Sequence, residues 1–518
     1  WVEELATKVG FSVPWLVKLS GKKGRRLASN LGWIALEALN AARKRSHSCV
    51  WLGKQGDPFA ELKLEPTWVT KLPKDARMYI RKSWAMTDGL DSLAIVPNFP
   101  LTGIGYIVCD DTLAVDACRT FKLFRLSRVK QLSFLHDPVL RETDRSAGCL
   151  MFDHTRYLHS LDAYVLGNLV FANNQRAIEN WCHEAGINWA QLENSFRTAV
   201  ISHDALTPAG GDSVKLIDPQ AFDEETHFSE LLVGDEWESF EKRWNVNGGL
   251  IASIVRGEGL LGSILDLVDK TSYIARDAAA YYMMPMTKDS FRRRPYSSTG
   301  YCAVNDLLSS AGNVCGLWES AKVIAGKLVI GDVGRLEKFL ILRALLFREL
   351  YYNPASRFFE YLVGKGVIKY LYDRKQITRQ ELLANGDEWV HNLVDKTFGT
   401  RFILSKFWNL KNARIEEHPN MQAACKRANE LFGDMGIFAI VDDFQSKTSS
   451  ATRKFLVRQG GQTVKFMDAC PEATQEVENI MQFGNMTRLF IFSMDDLEIR
   501  GNDRKRIKEL FRSVQPFA

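Results

Sequence analysis

The chain has 518 residues, of which 46% are hydrophobic and 25% are charged, and its formal net charge is +5. This length is too great for one ordinary core and predicts two to four domains, since a domain holds roughly 100–200 residues. The composition is that of a soluble globular protein, and so weak a net charge does not by itself indicate nucleic-acid binding.

The cysteines and the apolar runs exclude two further classes of protein. Nine cysteines are present, an odd number, and no two of them are spaced as C-x-x-C. This pattern argues against a disulfide framework and a zinc ribbon, and it predicts a reducing, cytoplasmic compartment. No apolar run approaches the ~18 residues of a membrane span, so no membrane partner is expected. Because the first residue is Trp1 rather than Met, the lack of a signal peptide carries little weight.

Residues 1–115 are predicted to form an N-terminal α+β domain of unknown role. Apolar residues at helical spacing predict amphipathic helices at 15–19 and 31–39. Three short β-prone runs bounded by Gly, Pro and Asp follow, at 48–52, 93–96 and 104–108.

Residues 116–424 are predicted to form an all-helical domain, the candidate catalytic body. Its apolar residues recur near i, i+3 and i+4, with polar residues between them. The periodic segments are 155–172, 175–185, 189–203, 260–284, 302–325 and 333–352.

Residues 425–518 change character again and predict a small α+β domain. The predicted strands are 437–441, 454–458, 464–467 and 488–492, and the predicted helices are 471–482 and 503–513. The whole chain is therefore expected to be mainly α, with α+β domains at both ends.

Two histidines and two aspartates within the helical body are candidate ligands of one divalent metal: His159, His203, Asp204 and Asp269. Imidazole nitrogen with carboxylate oxygen suits Mn, Fe, Zn or Mg, and the sequence does not choose among them. Four protein ligands leave room in an octahedral shell for water and a phosphate oxygen. The set therefore predicts metal-assisted hydrolysis of a phosphate ester or anhydride, and a nucleotide is the expected substrate.

Charged and aromatic residues stand at helical spacing from these ligands. Arg156 lies one turn before His159, and Tyr273 and Asp277 follow Asp269 at +4 and +8 on one face. Guanidinium and ammonium groups hold phosphate oxygens by charge-assisted bonds, and the candidates for this task are Arg156, Lys270 and Arg343. Each residue alone is also typical of an ordinary helix, so the prediction depends on their order and spacing together.

The order H…HD…D resembles that of the HD-domain phosphohydrolases, and the detail is most similar to the deoxynucleoside triphosphate triphosphohydrolases. Arg156-Tyr-Leu-His159-Ser160-Leu161 resembles that family's R-F-E-H-S-L. Asp269-Lys-Thr-Ser-Tyr273-Ile-Ala-Arg276-Asp277 is similar to its D-K-x-D-Y-x-x-R-D. Two further stretches, 124–132 and 342–351, resemble the segment before the first metal histidine and a later helix that binds phosphate and nucleoside.

The resemblance covers roughly 120–400 and implies roles for individual residues. The metal ligands would be His159, His203, Asp204 and Asp269, and the phosphate ligands would be Arg156, Lys270 and Arg343. Gln131, Tyr273 and Asp277 would lie at the sugar, while Tyr351 would pack at the nucleoside and help exclude a 2′-hydroxyl; helix packing is the alternative for Tyr351. The resemblance also implies a homo-oligomer.

The segment after the HD pair departs from the family pattern HD-x-G-H-x-P-x-x-H. Thr207 and Asp212 stand where the pattern has its later histidines, which contact phosphate or donate a proton. His227 follows His203 at about the sequence distance at which the family has another histidine near the phosphates, and a solvated histidine is the alternative. Asp212 is expected to act as an acid only if burial or a nearby carboxylate raises its pKa.

Two other functions stay open because of this altered segment. One is an HD phosphohydrolase acting on another nucleotide: a monophosphate, an alarmone or a cyclic nucleotide. The other is a nucleotide- or nucleic-acid-binding regulator without turnover. The basic stretches at 21–26, 43–45 and 292–294 are a thin case for nucleic acid, and a solvated loop explains the last of them better.

Overall fold

The computed structural model describes residues 48–50, 94–97, 104–109, 112–132, 155–215, 217–282, 317–352, 357, 360–398, 413–432, 437–442, 454–481, 487–493, 495 and 504–505. The chain divides into two compact units, Trp1–Val115 and Asp116–Ala518. The expected helices at 15–19 and 31–39, the basic stretches at 21–26, 43–45 and 292–294, and most of 503–513 lie outside the described residues.

The described part of the first unit contains a three-stranded sheet. Its strands are β1 (Ser48–Val50), β2 (Ala94–Pro97) and β3 (Ile104–Cys109), in the order β1-β3-β2. β3 pairs parallel to β1 and antiparallel to β2. All three coincide with the β-prone runs, which are therefore confirmed as strands.

The second unit is built mainly of helices, as the periodicity predicts. Helix α1 (Thr112–Thr120) spans the boundary between the two units. The helices that follow, up to the one that carries Asp269, are α2 (Arg156–Asn173), α3 (Gln175–Glu184), α4 (Trp189–Ser202), α5 (Asp212–Lys215), α6 (Glu224–His227), α7 (Asp235–Trp244), α8 (Gly248–Val255) and α9 (Gly259–Tyr282). Two 3₁₀ helices, Leu123–Arg128 and Phe228–Leu231, lie between them.

The remaining helices follow α9 along the chain. They are α10 (Leu317–Ser320), α11 (Val333–Leu346), α12 (Lys369–Asp373), α13 (Arg379–Ala384), α14 (Asp387–Phe398), α15 (Met421–Phe432), α16 (Phe466–Ala469) and α17 (Pro471–Met481). Two π-helical segments, Phe347–Tyr351 and Tyr361–Ile368, continue α11 and precede α12. No helix in the described ranges combines the length and apolarity that a bilayer crossing requires.

Helix α2 lies at the centre of the helical body. It is buried along almost its whole length and packs against α4 and α9, which explains why its apolar residues are not confined to one face. Phe171 of α2 stacks on Phe196 of α4, with ring centroids 5.0 Å apart. Arg276 of α9 binds the buried Asp162 of α2 through two nitrogens. These three helices carry the candidate metal ligands.

A four-stranded sheet corrects part of the sequence prediction. Residues 321–325 were expected to be helical, but β4 (Ala321–Ile324) and β5 (Lys327–Ile330) form an antiparallel hairpin. Ala325 and Gly326 both have positive φ, at 48° and 70°, as a two-residue hairpin turn requires. The first part of the predicted helix, 302–316, lies outside the described residues.

The hairpin is joined by strands from far along the chain. β8 (Leu456–Gln459) pairs parallel to β5 through Ile330 and Val457, and β9 (Gln462–Lys465) pairs with β8, giving the order β4-β5-β8-β9. A second small sheet has the order β6-β10-β7, with β6 (Ala413–His418), β7 (Ile437–Asp442) and β10 (Thr487–Ser493). Since β6 belongs to this sheet, the small sheet begins before the domain boundary expected at 424–425.

Candidate metal centre

Three helices bring the candidate ligands together. His159 lies in the first turn of α2, which begins after Thr155, whose side chain accepts a bond from the Leu158 N–H. His203 follows the last residue of α4, with Asp204 directly after it. Asp269 lies in the middle of α9. Because α2 packs on both α4 and α9, side chains at these positions converge.

The donor atoms of His159, His203 and Asp269 lie close enough to bind one ion. His159 Nε2 is 3.2 Å from His203 Nε2 and 3.0 Å from Asp269 Oδ1, and the third separation is 3.5 Å. Ligands about 2.1 Å from an ion are roughly 3.0 Å apart in an octahedral shell and roughly 3.4 Å apart in a tetrahedral one. Within the described ranges these three residues are the group whose spacing could hold a metal ion.

Hydrogen bonds to the outer nitrogens favour the ligand form of both imidazoles. His203 Nδ1 lies 2.8 Å from the Val200 carbonyl oxygen, an acceptor, so Nδ1 carries a proton. His159 Nδ1 lies 2.8 Å from Ser272 Oγ, and that hydroxyl donates to the His159 carbonyl at 3.2 Å. Ser272 Oγ therefore accepts from His159 Nδ1. Both Nε2 atoms are left with lone pairs that face each other, an arrangement that fits a cation between them.

Asp204 lies at the edge of the same cluster. Its carboxylate oxygens are 3.6 Å from His159 Nε2 and 3.8 Å from His203 Nε2. Burial raises its pKa, but Arg156 and the two histidines lower it more, to about 2, so Asp204 is ionised. The pKa of Asp269 is likewise held well below its usual range, against burial, by hydrogen bonds to both histidines. His159, His203 and Asp269 thus fit a divalent ion, with two nitrogens and one carboxylate, and the ionised Asp204 lies beside them.

The loop that follows Asp204 is fixed by two residues from outside it. Arg125 donates to the carbonyl oxygens of Ala205 and Thr207, at 3.1 and 2.7 Å. The buried Asp387 accepts from the Gly210 N–H and the Lys130 N–H, both at 2.8 Å. The segment that departs from the family pattern is therefore held in one conformation, and it delivers Asp212 to the site.

Arg156 connects the metal residues to a chain of alternating charges. Its guanidinium lies 3.3 Å from Asp204 Oδ2 and 2.9 Å from Asp212 Oδ2. Lys215 Nζ lies 3.3 Å from the other oxygen of Asp212 and 2.9 Å from Glu224 Oε1. Burial raises the pKa of Asp212, but the positive charges of Arg156 and Lys215 lower it by more, so the pKa lies below its usual value. The condition for Asp212 to act as an acid is therefore not met, and it is held as a carboxylate.

Aromatic and polar residues form the other end of the site. The Tyr273 ring lies 6.2 Å from the His159 ring and 6.4 Å from the Tyr351 ring. Tyr351 lies on the first π-helical segment and donates its hydroxyl to the carboxylate of the buried Asp277. Burial and Asp277 raise the pKa of Tyr351 well above its usual value, so the hydroxyl keeps its proton. Arg343 lies 4.8 Å from the centroid of the Phe347 ring and bonds to Tyr273.

Three other predicted site residues have different surroundings. Lys270 is paired with Asp266, one turn earlier on α9. His227 has both ring nitrogens engaged, by Glu230 at 2.6 Å and by the Gln220 carbonyl oxygen at 2.9 Å, so its contacts do not favour a role at the phosphates. Gln131 is buried, and its Oε1 has no hydrogen-bond partner among the residues that the structure describes.

Several residues at the site escaped the sequence prediction. Ser272 orients His159, Lys215 and Glu224 continue the charged chain, and Arg125 and Asp387 hold the loop. Ser272 alone carried a usable signal, since it stands at the second aspartate of the pattern D-K-x-D-Y. Lys215 and Glu224 follow the altered segment, where the family pattern gives no guide. Arg125 lies within the stretch 124–132, but its bonds reach Ala205 and Thr207, 80 and 82 residues away, and Asp387 bonds to Gly210 across 177 residues.

Comparisons with known proteins reveal a shared fold. No protein-family model matches the chain, and no curated protein matches it. A phosphohydrolase structure from Bacteroides thetaiotaomicron matches with a TM-score of 0.51 and 14% identity, over 77% of this chain and 99% of that chain. A hypothetical protein from Aquifex aeolicus matches with a TM-score of 0.50 and 14% identity, over 81% of this chain and 99% of that one. The chain is therefore similar in fold to a phosphohydrolase.

Proposed function

We propose that this protein is a metal-dependent phosphohydrolase of the HD type that converts deoxynucleoside triphosphates to deoxynucleoside and triphosphate. The observation that carries the proposal is the convergence of His159 Nε2, His203 Nε2 and Asp269 Oδ1 within 3.5 Å of one another, with Asp204 beside them. Both imidazoles are oriented by bonds at their outer nitrogens, as in known metal sites. The fold shared with a phosphohydrolase supports the same class of reaction.

The chain's own residues divide the work of binding. His159, His203, Asp204 and Asp269 would hold a divalent ion, which when bound lowers the pKa of water and offsets charge on a phosphate. Arg156 is positioned to hold phosphate oxygens, because it lies 3.3 Å from a metal ligand. Arg343 lies with Tyr273 at the other end. Mn, Mg, Fe and Zn would each suit this set of nitrogen and oxygen ligands.

The nucleoside is assigned to the aromatic end of the site. The Tyr273 and Tyr351 rings meet edge-on with centroids 6.4 Å apart, and Asp277 accepts a hydrogen bond from the Tyr351 hydroxyl. A sugar hydroxyl would find a carboxylate acceptor and phenol donors there. The Tyr351 ring, fixed by this bond, would leave no room for a 2′-hydroxyl, which is the basis for preferring a deoxyribose.

One observation favours a second candidate, the binding of nucleotide without turnover. Cleavage at the α-phosphorus releases a 5′-alkoxide, which needs a proton. Asp212 has a lowered pKa, and both ring nitrogens of His227 are engaged elsewhere, so neither predicted donor has the form required. The same weakness is compatible with a different nucleotide substrate whose leaving group needs no proton.

A product analysis separates these candidates. Purified protein is incubated with each dNTP, each NTP, a monophosphate and a cyclic nucleotide, in Mn²⁺, Mg²⁺, Fe²⁺ or Zn²⁺, and the products are resolved by ion-exchange chromatography. We expect tripolyphosphate and deoxynucleoside, lost in the double variant His203→Ala with Asp204→Ala and kept in the exposed control His183→Ala. Pyrophosphate or monophosphate as the sole product would refute the triphosphohydrolase. Nucleotide binding without any product would establish the second candidate.

A further inference from the structure

Lys215 is the last residue of α5, the short helix that follows the altered segment after the HD pair. Its side chain is 29% exposed, and its ammonium group faces Asp212 and Glu224. The second π-helical segment, Tyr361–Ile368, packs against α5 and fixes its position. Lys215 thus lies on a supported element that is part of the site wall.

The charged chain places Lys215 and Arg156 on either side of one carboxylate. Asp212 Oδ2 is 2.9 Å from Arg156 and Asp212 Oδ1 is 3.3 Å from Lys215, so each oxygen has its own cation. Arg156 in turn reaches Asp204 at 3.3 Å. A cation pair bridged by one carboxylate, a single contact away from a metal ligand, has the geometry that receives a phosphate group.

The exposed fractions of the three side chains indicate that Asp212, rather than Arg156 or Lys215, can move away from the charged cluster. The Arg156 side chain is 8% exposed and that of Lys215 is 29% exposed, whereas that of Asp212 is 59% exposed. The two cations are therefore the inner, fixed members, and the carboxylate lies outermost. Asp212 can turn into solvent without burying an uncompensated charge, while the cations stay in place.

The surroundings keep Lys215 positively charged and leave one nitrogen of Arg156 without a hydrogen-bond acceptor. Burial lowers the pKa of Lys215, but the negative charges of Glu224 and Asp212 raise it by more. The pKa therefore lies above its usual value and the amine stays protonated. Arg156 Nε is buried and has no hydrogen-bond partner among the described residues. A buried guanidinium nitrogen without an acceptor is costly, and a phosphate oxygen would supply the acceptor.

We propose that Lys215 is a phosphate-binding residue of this site, acting with Arg156, and that Asp212 occupies the place of the phosphate in the nucleotide-free protein. The inference rests on the proposed function for its choice of ligand, a polyphosphate chain. Glu224 also holds Lys215, at 2.9 Å from its ammonium nitrogen. The altered segment thus carries Asp212, a carboxylate that a phosphate displaces, where the family pattern has a histidine, and Lys215 supplies a cation three residues later.

Binding of inorganic tripolyphosphate to the Mg²⁺- or Mn²⁺-loaded full chain tests this without any turnover. Calorimetry is performed on wild type, Lys215→Met, Lys215→Arg and Asp212→Asn. We expect Lys215→Met to weaken binding by roughly tenfold or more and Lys215→Arg to restore most of it, in line with one lost charge-assisted bond. Asp212→Asn removes the competing charge and should tighten binding by several fold.

The control is Lys369→Met, whose ammonium is paired with Asp373 within α12 just as Lys215 is paired with Asp212 within α5. Circular dichroism and thermal melting check that each variant is folded. If Lys215→Met binds tripolyphosphate as tightly as wild type, or if wild type does not bind it, the inference is wrong. If Asp212→Asn weakens binding, the displacement by phosphate is wrong. Because no step needs hydrolysis, Lys215-dependent binding would stand even if no nucleotide is turned over.

Discussion

His159 and His203 face each other across 3.2 Å with the Nε2 lone pairs inward, since each ring gives its Nδ1 proton to an acceptor behind it. Without a metal, His203 holds a second ring proton over a wide pH range. Burial lowers the pKa of His203, but Asp204 and Asp269 raise it to about 9. Metal binding must therefore displace a proton at any pH below about 9.

The first prediction is that metal affinity rises with pH. Below about pH 9, His203 is protonated in the metal-free protein, so the apparent affinity should increase by about tenfold per pH unit and level off above it. Calorimetry in buffers of different ionisation enthalpy should give about one proton released per ion at pH 7. An affinity that is constant between pH 6 and 8 would contradict the prediction.

The second prediction concerns Ser272. Its hydroxyl fixes the tautomer of His159, so Ser272→Ala should reduce metal affinity by roughly 10–100-fold, as losses of such outer hydrogen bonds do. Metal content is measured by mass spectrometry after dialysis against a metal buffer. Ser263→Ala is the matched control, because Ser263 lies on the same helix and its hydroxyl bonds only one turn back, to Gly259. Equal metal content in the two variants would show that Ser272 is not needed.

The third prediction concerns the hydroxyl of Tyr351. Tyr351→Phe keeps the ring but releases Asp277, so the ring is held less firmly against the site. We expect the preference for dNTP over NTP to fall by roughly tenfold, the size of one hydrogen bond. The preference is the ratio of the two kcat/KM values, or of two dissociation constants if there is no turnover. Tyr370→Phe, whose hydroxyl bonds to the exposed Arg374, should leave the ratio unchanged.

The fourth prediction concerns Gly364, in the second π-helical segment. A Cβ there would collide with the carbonyl group of Ser213, between Asp212 and Lys215. Gly364→Ala should therefore displace α5, lower the free energy of unfolding by about 1–3 kcal/mol and weaken tripolyphosphate binding. Gly334→Ala is the control, because the nearest atom to its Cβ would be 3.8 Å away. Urea unfolding and calorimetry measure both effects; unchanged tripolyphosphate affinity would mean that α5 can shift freely.

The periodicity of the sequence predicts the helices that carry the site because α2, α4 and α9 are long and amphipathic or apolar throughout. The β4–β5 hairpin was missed because Ala321–Ile324 has only four residues, too few for its alternation of buried and exposed side chains to be separated from helical spacing. His159, His203 and Asp269 lie close enough together to hold one ion, and Asp204 lies at the edge of this cluster. The contacts that fix the loop after Asp204 could not be predicted. Asp387 and Gly210 are 177 residues apart, and no local sequence pattern joins them.

The pairing of Ile330 with Val457 makes the last part of the chain a structural member of the helical body rather than an appendage. A shortened protein ending before Leu456 would keep β4 and β5 as a lone two-stranded ribbon, and such ribbons are marginally stable in water. The backbone N–H and C=O groups on the unpaired side of β5 would then be available to pair with strands of other molecules, which favours aggregation. Searches for a minimal active fragment should therefore retain β8 and β9, even though every proposed metal ligand lies far upstream of them.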